Sequence, residues 1–175
     1  RAAVASCASQ SAMKVYHSAA ADYYLNADDP VERLHHLWKA GRGPEAARHL
    51  KMHRERVLTG GNAAEALAVA LKCCLGKSEE MDDLVAELAI AVGDVRTALE
   101  LSRRLSSSSV KEIATKARVR SARLLMRQGD LAEARNVLES SKDACGAEGL
   151  RVLGGLERRS GEYEKAARTL AKALS

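Results

Sequence analysis

Apolar residues recur along the chain at the three- and four-residue spacing that places them on one face of an α-helix. The longest such stripe consists of Val110, Ile113, Ala117, Leu124 and Leu125. No segment shows the strict alternation of apolar and polar residues that indicates a half-buried strand. The pattern therefore predicts an all-α chain of about ten helices, with short connections that make consecutive helices antiparallel.

Residues that cap or break helices set the predicted boundaries. Asp28, Asp29 and Pro30 end one helix and begin the next, since an Asp cap followed by Pro suits a first turn. Asn62 is predicted to cap the helix that follows Gly61. The predicted helices span residues 2–26 (as one helix or two), 31–40, 44–58, 63–75, 78–92, 95–105, 110–128, 131–141, 146–160 and 162–174.

One short pattern returns along the chain: a glycine, an acidic residue in most copies, and an alanine five positions after the glycine. The copies begin at Gly93, Gly129 and Gly161, and a weaker copy begins at Gly61. From first to last, these glycines are 32, 36 and 32 residues apart. Such a period is typical of stacked repeat proteins, in which each unit buries its apolar face against its neighbours. Because these proteins commonly hold a partner, the pattern predicts a binding function.

The composition agrees with a helical protein and limits its partners. The 175 residues are 46% hydrophobic but only 3% aromatic, and a core of Ala and Leu favours closely packed helices over sheets. The formal net charge of +5 is less one-sided than that of a dedicated nucleic-acid-binding domain. The sequence shows neither an apolar run long enough for a membrane span nor a signal peptide. These features predict a cytoplasmic protein that does not bind membranes.

The four cysteines are predicted to be free thiols. Cys7, Cys73, Cys74 and Cys145 match no zinc or redox spacing, and adjacent Cys73 and Cys74 do not easily bridge each other. Buried free thiols are typical of a reducing cytosol. No cofactor is predicted.

The last copy of the glycine pattern, with the residues around it, resembles the tetratricopeptide repeat (TPR). Its matching residues are Leu150, Leu153 and Gly154 on a first helix, residues 161–166 at the turn, and Leu170 and Ala173 on a second helix. The preceding copy matches at Ala122, Leu125, Gly129, Asp130, Leu131, Ala134 and Leu138, and departs from the family at Ser141. Small residues such as Gly154 and Ala166 would let the paired helices touch.

This resemblance implies a right-handed superhelix of antiparallel helical hairpins, a TPR-like α-solenoid. Residues 1–175 would form a single domain, with divergent hairpins over residues 1–58 and recognisable repeats over residues 59–175. In the Gly61 copy, Arg54 stands where the family places a small packing residue. The implied function is a non-catalytic module that binds a protein or peptide.

The N-terminal third is also similar, more loosely, to the helical region that follows the ATPase module in STAND-type signalling ATPases. The matching segments are residues 23–25, 29–30, 33–37 and 40–50. This likeness implies an alternative function, as the sensor or regulatory arm of a multidomain ATPase. The sequence contains no glycine-rich phosphate loop ending in Lys-Ser or Lys-Thr.

In the TPR register, charged residues on the first helix of each hairpin face an inner groove. The basic ones are Lys116, Arg123, Arg127, Arg151 and Arg158, and the acidic ones, one unit earlier, are Glu80, Asp83 and Glu87. The groove would be acidic in its middle and basic toward its end, which suits an extended acidic peptide because Arg binds carboxylates in pairs. An ordinary solvated surface and a site for single-stranded RNA are the alternatives, although RNA stacking needs aromatic residues that this register does not offer.

Candidates for metal binding and catalysis are weaker. Glu45, His49 and His53 follow at four-residue spacing, which can place three metal ligands on one helix face, but the charged residues around them favour a solvated face. The serine run at residues 106–109 lacks the strand-turn-helix setting of a catalytic nucleophile. We therefore predict no enzymatic activity.

Both ends of the sequence suggest further interactions or further chain. An apolar second helix precedes Ser175 with no polar capping helix, whereas repeat arrays need capped ends for solubility. The expectation is self-association through the C-terminal helix or a longer native protein. The first residue, Arg1 rather than Met, also favours a fragment of a longer protein.

Overall fold

The computed structural model describes residues 9–27, 29–140 and 146–174. Within these ranges, regular secondary structure is entirely α-helical and comprises eleven helices. The chain forms two compact units that divide between Gly93 and Asp94, called here the N-terminal and C-terminal units. The predictions for residues 2–8, Asp28, Ser141 and Cys145 lie outside the described residues.

The N-terminal unit contains six described helices. They are α1 (Gln10–Asn26), α2 (Pro30–Lys39), α3 (Gly43–Met52), α4 (Arg54–Thr59), α5 (Ala63–Cys73) and α6 (Glu79–Val92). Helix α1 packs on α2, and α2 packs in turn on α3 and α5, while α6 packs on α5. Fully buried leucines fill the core of this unit, among them Leu34, Leu37, Leu50 and Leu88.

Two predicted details of this unit are wrong. The single helix predicted over residues 44–58 is interrupted at His53, where φ is −104° and ψ is 20°, and it continues as the short helix α4. The interruption precedes Arg54, whose Nε lies 2.7 Å from Glu87 Oε2 on α6, so this long side chain forms a surface ion pair instead of packing between helices. Asn62 precedes α5 without a capping hydrogen bond from its side chain.

The C-terminal unit contains five described helices, α7 (Val95–Leu105), α8 (Lys111–Gln128), α9 (Leu131–Glu139), α10 (Gly146–Arg159) and α11 (Tyr163–Lys172). Helices α8 and α9 pack together as a hairpin, as do α10 and α11. Helix α7 packs on α8, and α10 packs on both helices of the preceding hairpin. Each hairpin thus buries apolar surface against the next, as repeat stacking requires.

The recurring glycine pattern forms the turn inside a hairpin. Gly129 ends α8 with a left-handed φ of 87°, a conformation that glycine adopts without steric cost. Asp130 follows, and its Oδ1 accepts a hydrogen bond of 3.1 Å from the backbone N–H of Glu133 at the start of α9. The predicted break and cap are therefore confirmed at this turn.

Helices α10 and α11 are in close contact at Gly154. A Cβ atom built on this residue would lie 2.6 Å from Leu170 Cγ, so only glycine fits without displacing Leu170. Near this contact, Glu157 of α10 is fully buried, and neither of its carboxylate oxygens has a hydrogen-bond partner. The nearest cation to it is Lys165, whose Nζ lies 3.6 Å from Glu157 Oε1.

Candidate functional site

Basic residues concentrate on α8 and α10, the first helices of the two C-terminal hairpins. Together these helices contain nine Lys and Arg residues against three Glu residues, a surplus of six positive charges. The formal net charge of the whole chain is only +5. The excess positive charge of the protein is therefore located on these two helices.

The basic residues predicted to bind a partner share one face of each helix. Lys116, Arg123 and Arg127 are seven and four residues apart on α8, and Arg151 and Arg158 are seven apart on α10, spacings that return to the same side of a helix. All five side chains are exposed. Opposite faces of the same helices supply core residues such as Leu124 and Leu156.

Two contacts bring these faces side by side. Arg123 Nη1 lies 2.9 Å from Glu148 Oε1 at the start of α10, and Arg159 Nη1 donates a hydrogen bond of 3.1 Å to the carbonyl oxygen of Met126 near the end of α8. The start of α10 therefore lies beside the middle of α8, and the end of α10 lies beside the end of α8. The two helices consequently run in the same direction. We call the exposed residues Lys116, Arg123, Arg127, Arg151 and Arg158 the basic face.

Members of the basic face differ in how far their charge is neutralised. Arg123 pairs with Glu148, and Lys116 pairs with Glu112 at 2.6 Å. The side chains of Arg127, Arg151 and Arg158 form no ion pair or hydrogen bond with another described residue. On α7, α9 and α11 the situation is different, because Arg103, Arg135 and Arg168 are each paired with a glutamate.

The three acidic residues predicted to line the groove lie on α6, in the N-terminal unit. Glu80 pairs with Lys51, and Glu87 accepts two hydrogen bonds from Arg54. The Glu87 carboxylate raises the pKa of Arg54 above its usual range. Asp83 is half-buried. Two of the three carboxylates are thus neutralised by cations of their own unit.

The alternative metal ligands are occupied by other contacts. Both carboxylate oxygens of Glu45 accept hydrogen bonds from Arg42, at 2.8 and 2.6 Å, and this pairing lowers the pKa of Glu45. His49 is buried, and its Nε2–H donates a 2.9 Å hydrogen bond to the carbonyl of Pro30. The His53 ring stacks at an angle on His49, with centroids 4.5 Å apart. Across the described ranges, no three His, Cys, Asp or Glu side chains are grouped to hold a metal ion.

The serine run forms the turn between α7 and α8. Ser106 Oγ donates to the carbonyl of Arg103 at 2.6 Å, and Ser108 Oγ accepts from the backbone N–H of Val110 at 3.0 Å. These hydroxyls thus stabilise the chain reversal. Among the described helices, none combines the length and apolarity that a membrane span requires.

Residues that assemble the basic face were missed at the sequence level. Glu148 neutralises Arg123, and Arg159 ties α10 to α8, although the sequence indicated only that Arg159 is basic. Both contacts join residues more than twenty positions apart. No local pattern signals them, because they depend on how one hairpin stacks on the next.

Comparison with known proteins identifies the fold. No family model matches the chain, and no curated protein matches it. Two solved structures are similar to it throughout. One, described as "Crystal structure of MamA protein", has a TM-score of 0.66 and 13% sequence identity, covering 93% of this chain and 90% of that one. The other, described as "MamA MSR-1 C2", has a TM-score of 0.63 and 15% identity, covering 92% of this chain and 94% of that one. MamA is a TPR-like helical repeat protein, and the present chain therefore has the all-α, TPR-like helical repeat fold.

Proposed function

We propose that this chain is a non-catalytic interaction module that binds an acidic segment of a protein partner on the basic face of its C-terminal unit. TPR-like folds generally mediate protein–protein interactions, which supports the general class of function. The acidic character of the partner is inferred from charge alone. No reaction is assigned to the surface.

The exposed arginines without a carboxylate partner are the observation that supports this proposal most directly. Arg127, Arg151 and Arg158 are exposed without a carboxylate partner among the described residues, whereas Arg103, Arg135 and Arg168 on α7, α9 and α11 are each paired with a glutamate. A guanidinium presents a planar fork of donors that binds a carboxylate through two parallel hydrogen bonds. The Asp or Glu side chains of the partner would form ion pairs with these three guanidinium groups.

The chemistry of α8 and α10 favours a protein over single-stranded RNA. Neither helix contains Phe, Tyr or Trp. Proteins that bind single strands without sequence preference stack bases on aromatic side chains. The arginines of this face can contact phosphates, but the carboxylates of an acidic peptide can occupy the same positions.

Charge reversal on the basic face tests the proposal. The variant combines Arg151→Glu with Arg158→Glu, and leaves Arg123 in place because its pair with Glu148 supports the packing of α10. We expect the affinity for a fluorescein-labelled hexaglutamate peptide, measured by fluorescence anisotropy at low salt, to fall by about tenfold or more. Raising the salt concentration should weaken binding of the unmodified chain, since surface charges are screened.

The matched control combines Arg96→Glu with Arg168→Glu. Both residues are exposed, and they lie on α7 and α11 of the same unit, outside the basic face. This variant has the same net charge as the test variant, and we expect it to bind the peptide nearly as tightly as the unmodified chain. Equal losses in both variants would contradict a defined face. Tighter binding of oligouridylate than of hexaglutamate, lost on the same charge reversal, would assign the face to RNA instead.

A further inference from the structure

The two adjacent cysteines of the N-terminal unit lie in direct contact. Cys73 is the last residue of α5, and the sulfur atoms of Cys73 and Cys74 are 3.3 Å apart. Neighbouring side chains in a regular helix point away from each other. Here the helix ends at Cys74, where φ is −113° and ψ is −29°. This change of backbone direction places the Cys74 sulfur against the Cys73 sulfur.

The two thiols differ in exposure and in acidity. Cys74 is fully buried, whereas Cys73 is half-buried and reachable from solvent. The hydrogen bond between the two sulfurs lowers the pKa of Cys73, and Lys77 lowers it further. The same hydrogen bond and burial raise the pKa of Cys74. Cys73 is therefore the first nucleophile, and Cys74 is a second thiol held beside it.

The geometry narrows the uses of this pair. The two thiols are reduced in the structure, since their sulfurs are 3.3 Å apart and a disulfide holds them at about 2.05 Å. A linear two-coordinate ion would hold them about 4.6 Å apart, twice a metal–sulfur bond of the length found in zinc sites. Structural zinc takes four protein ligands, and no group of three suitable side chains occurs among the described residues.

We propose that Cys73 and Cys74 form a two-sulfur chelating site for trivalent arsenicals. Trivalent arsenic is pyramidal, with nearly right angles between its bonds, so it joins two sulfurs that are already in van der Waals contact. Its third bond is to its own organic substituent, and no further protein ligand is needed. Two sulfurs, one of them open to solvent, are all that such a ligand requires.

The reaction balances without an oxidant. An arsonous acid, which bears two hydroxyl groups on arsenic, first loses one hydroxyl as the Cys73 sulfur bonds to arsenic. The Cys74 sulfur then displaces the second hydroxyl. Two arsenic–oxygen bonds break, two arsenic–sulfur bonds form, and the two thiol protons leave with the hydroxyls as two water molecules. Arsenic remains trivalent throughout.

Phenylarsonous acid is the probe that tests this site. After incubation with the full chain, intact-protein mass spectrometry should show one adduct per chain. Because the second bond forms within the molecule, displacement by the monothiol mercaptoethanol should be slower by about tenfold or more than displacement of a single-sulfur adduct. The dithiol dimercaptopropanol should remove the adduct readily.

Variants identify the sulfurs involved. Cys73→Ser and Cys74→Ala should each lose the resistance to monothiol, while the combined Cys7→Ser and Cys145→Ser variant, which leaves the adjacent pair intact, should keep it. If Cys74→Ala reduces helical content by circular dichroism, Cys73→Ser decides the test, because Cys73 lies outside the fully buried core. A monothiol-resistant adduct in Cys73→Ser, or its loss when only Cys7 and Cys145 are replaced, would overturn the proposal.

Discussion

At the scale of single residues, the surroundings of the histidines determine how the protein responds to pH. All five histidines of the chain lie in the N-terminal unit. His17 Nδ1 and His36 Nδ1 are 2.8 Å apart, so one ring must donate and the other must accept, which both cannot do if both are cationic. Burial lowers the pKa of both rings, and it lowers the pKa of His49 from 6.5 to about 4. These rings are neutral in the folded state near neutral pH.

The stability of the protein should therefore fall in mild acid. The unfolded chain protonates its histidines near pH 6.5, whereas folded His49 resists protonation until about pH 4. Since the unfolded state binds more protons in this window, the contribution of His49 is complete above pH 6.5 and is lost as the pH falls toward 4. Urea unfolding at both ends of the window measures the change.

The variant His49→Gln isolates this contribution. Glutamine can still donate to the carbonyl of Pro30 but does not titrate. We expect the loss of unfolding free energy across the window to be smaller in the variant by about 1 kcal/mol or more. Carboxylates whose pKa is lowered, such as Glu45 and Glu162, weaken both proteins in acid and cancel in the difference. If the free energy of unfolding changed equally with pH in the variant and in the unmodified chain, His49 would not be the source of the loss of stability in acid.

At the scale of the helix, replacing either of two adjacent glycines of α10 by alanine should change the free energy of unfolding in opposite directions. Gly154 lies against Leu170 of α11, whereas a Cβ atom on Gly155 would meet nothing within 4 Å. Alanine in a helix interior is more favourable than glycine by about 1 kcal/mol. Gly155→Ala should therefore raise the free energy of unfolding by about this amount. Gly154→Ala should lower it, because the new methyl group would displace the Leu170 side chain from its contact with α10.

Urea denaturation of the two variants measures this difference. Because both exchange glycine for alanine in the same helix, the change in helix propensity is common to both, and only the contact with α11 differs. If Gly154→Ala stabilised the chain as much as Gly155→Ala, the close approach of these helices would be contradicted.

The helices of this fold were largely predictable because their signals are local. The stripe on α8 and the turn at Gly129 and Asp130 follow from spacing within one hairpin, and the structure confirms the turn and the stripe from Ile113 to Leu125. Val110, the first residue of the predicted stripe, precedes α8 and is exposed. The break at His53 did not follow, since apolar residues continue at helical spacing across it. Directly after the break, the Arg54 side chain pairs with Glu87, more than thirty residues away, a contact that no local pattern signals.

At the scale of the whole molecule, the distribution of charge matters more than its total. Replacing two arginines by two glutamates lowers the formal charge from +5 to +1, both in the basic-face variant and in its matched control. A binding surface recognises the local charge density rather than the sum. The two variants should therefore behave differently toward any large polyanion.

Cation-exchange chromatography at neutral pH measures this difference. The variant with Arg151→Glu and Arg158→Glu should elute at lower salt than the variant with Arg96→Glu and Arg168→Glu, because the resin binds the most positive surface first. Identical elution would show that the chain has no dominant basic face.

Sequence periodicity predicted which residues share the basic face, but it could not predict which of them are available to a partner. Lys116, Arg123 and Arg127 follow one side of α8 by spacing alone. That Arg123 is paired and Arg127 is not depends on the position of Glu148, which the stacking of the hairpins determines. The predicted acidic residues Glu80 and Glu87 are neutralised for the same kind of reason, by cations that the fold supplies from α3 and α4.

The buried carboxylate of Glu157 constrains the order in which this sequence can change. Losing Lys165 first would leave the buried Glu157 side chain without its neighbouring cation, a step that costs stability. Exchanging Glu157 for an apolar residue first removes that dependence, after which Lys165 retains only its surface pair with Glu162. Descendants of this chain should therefore reach an apolar residue at position 157 before they lose the lysine at 165, and the reverse path should be rare.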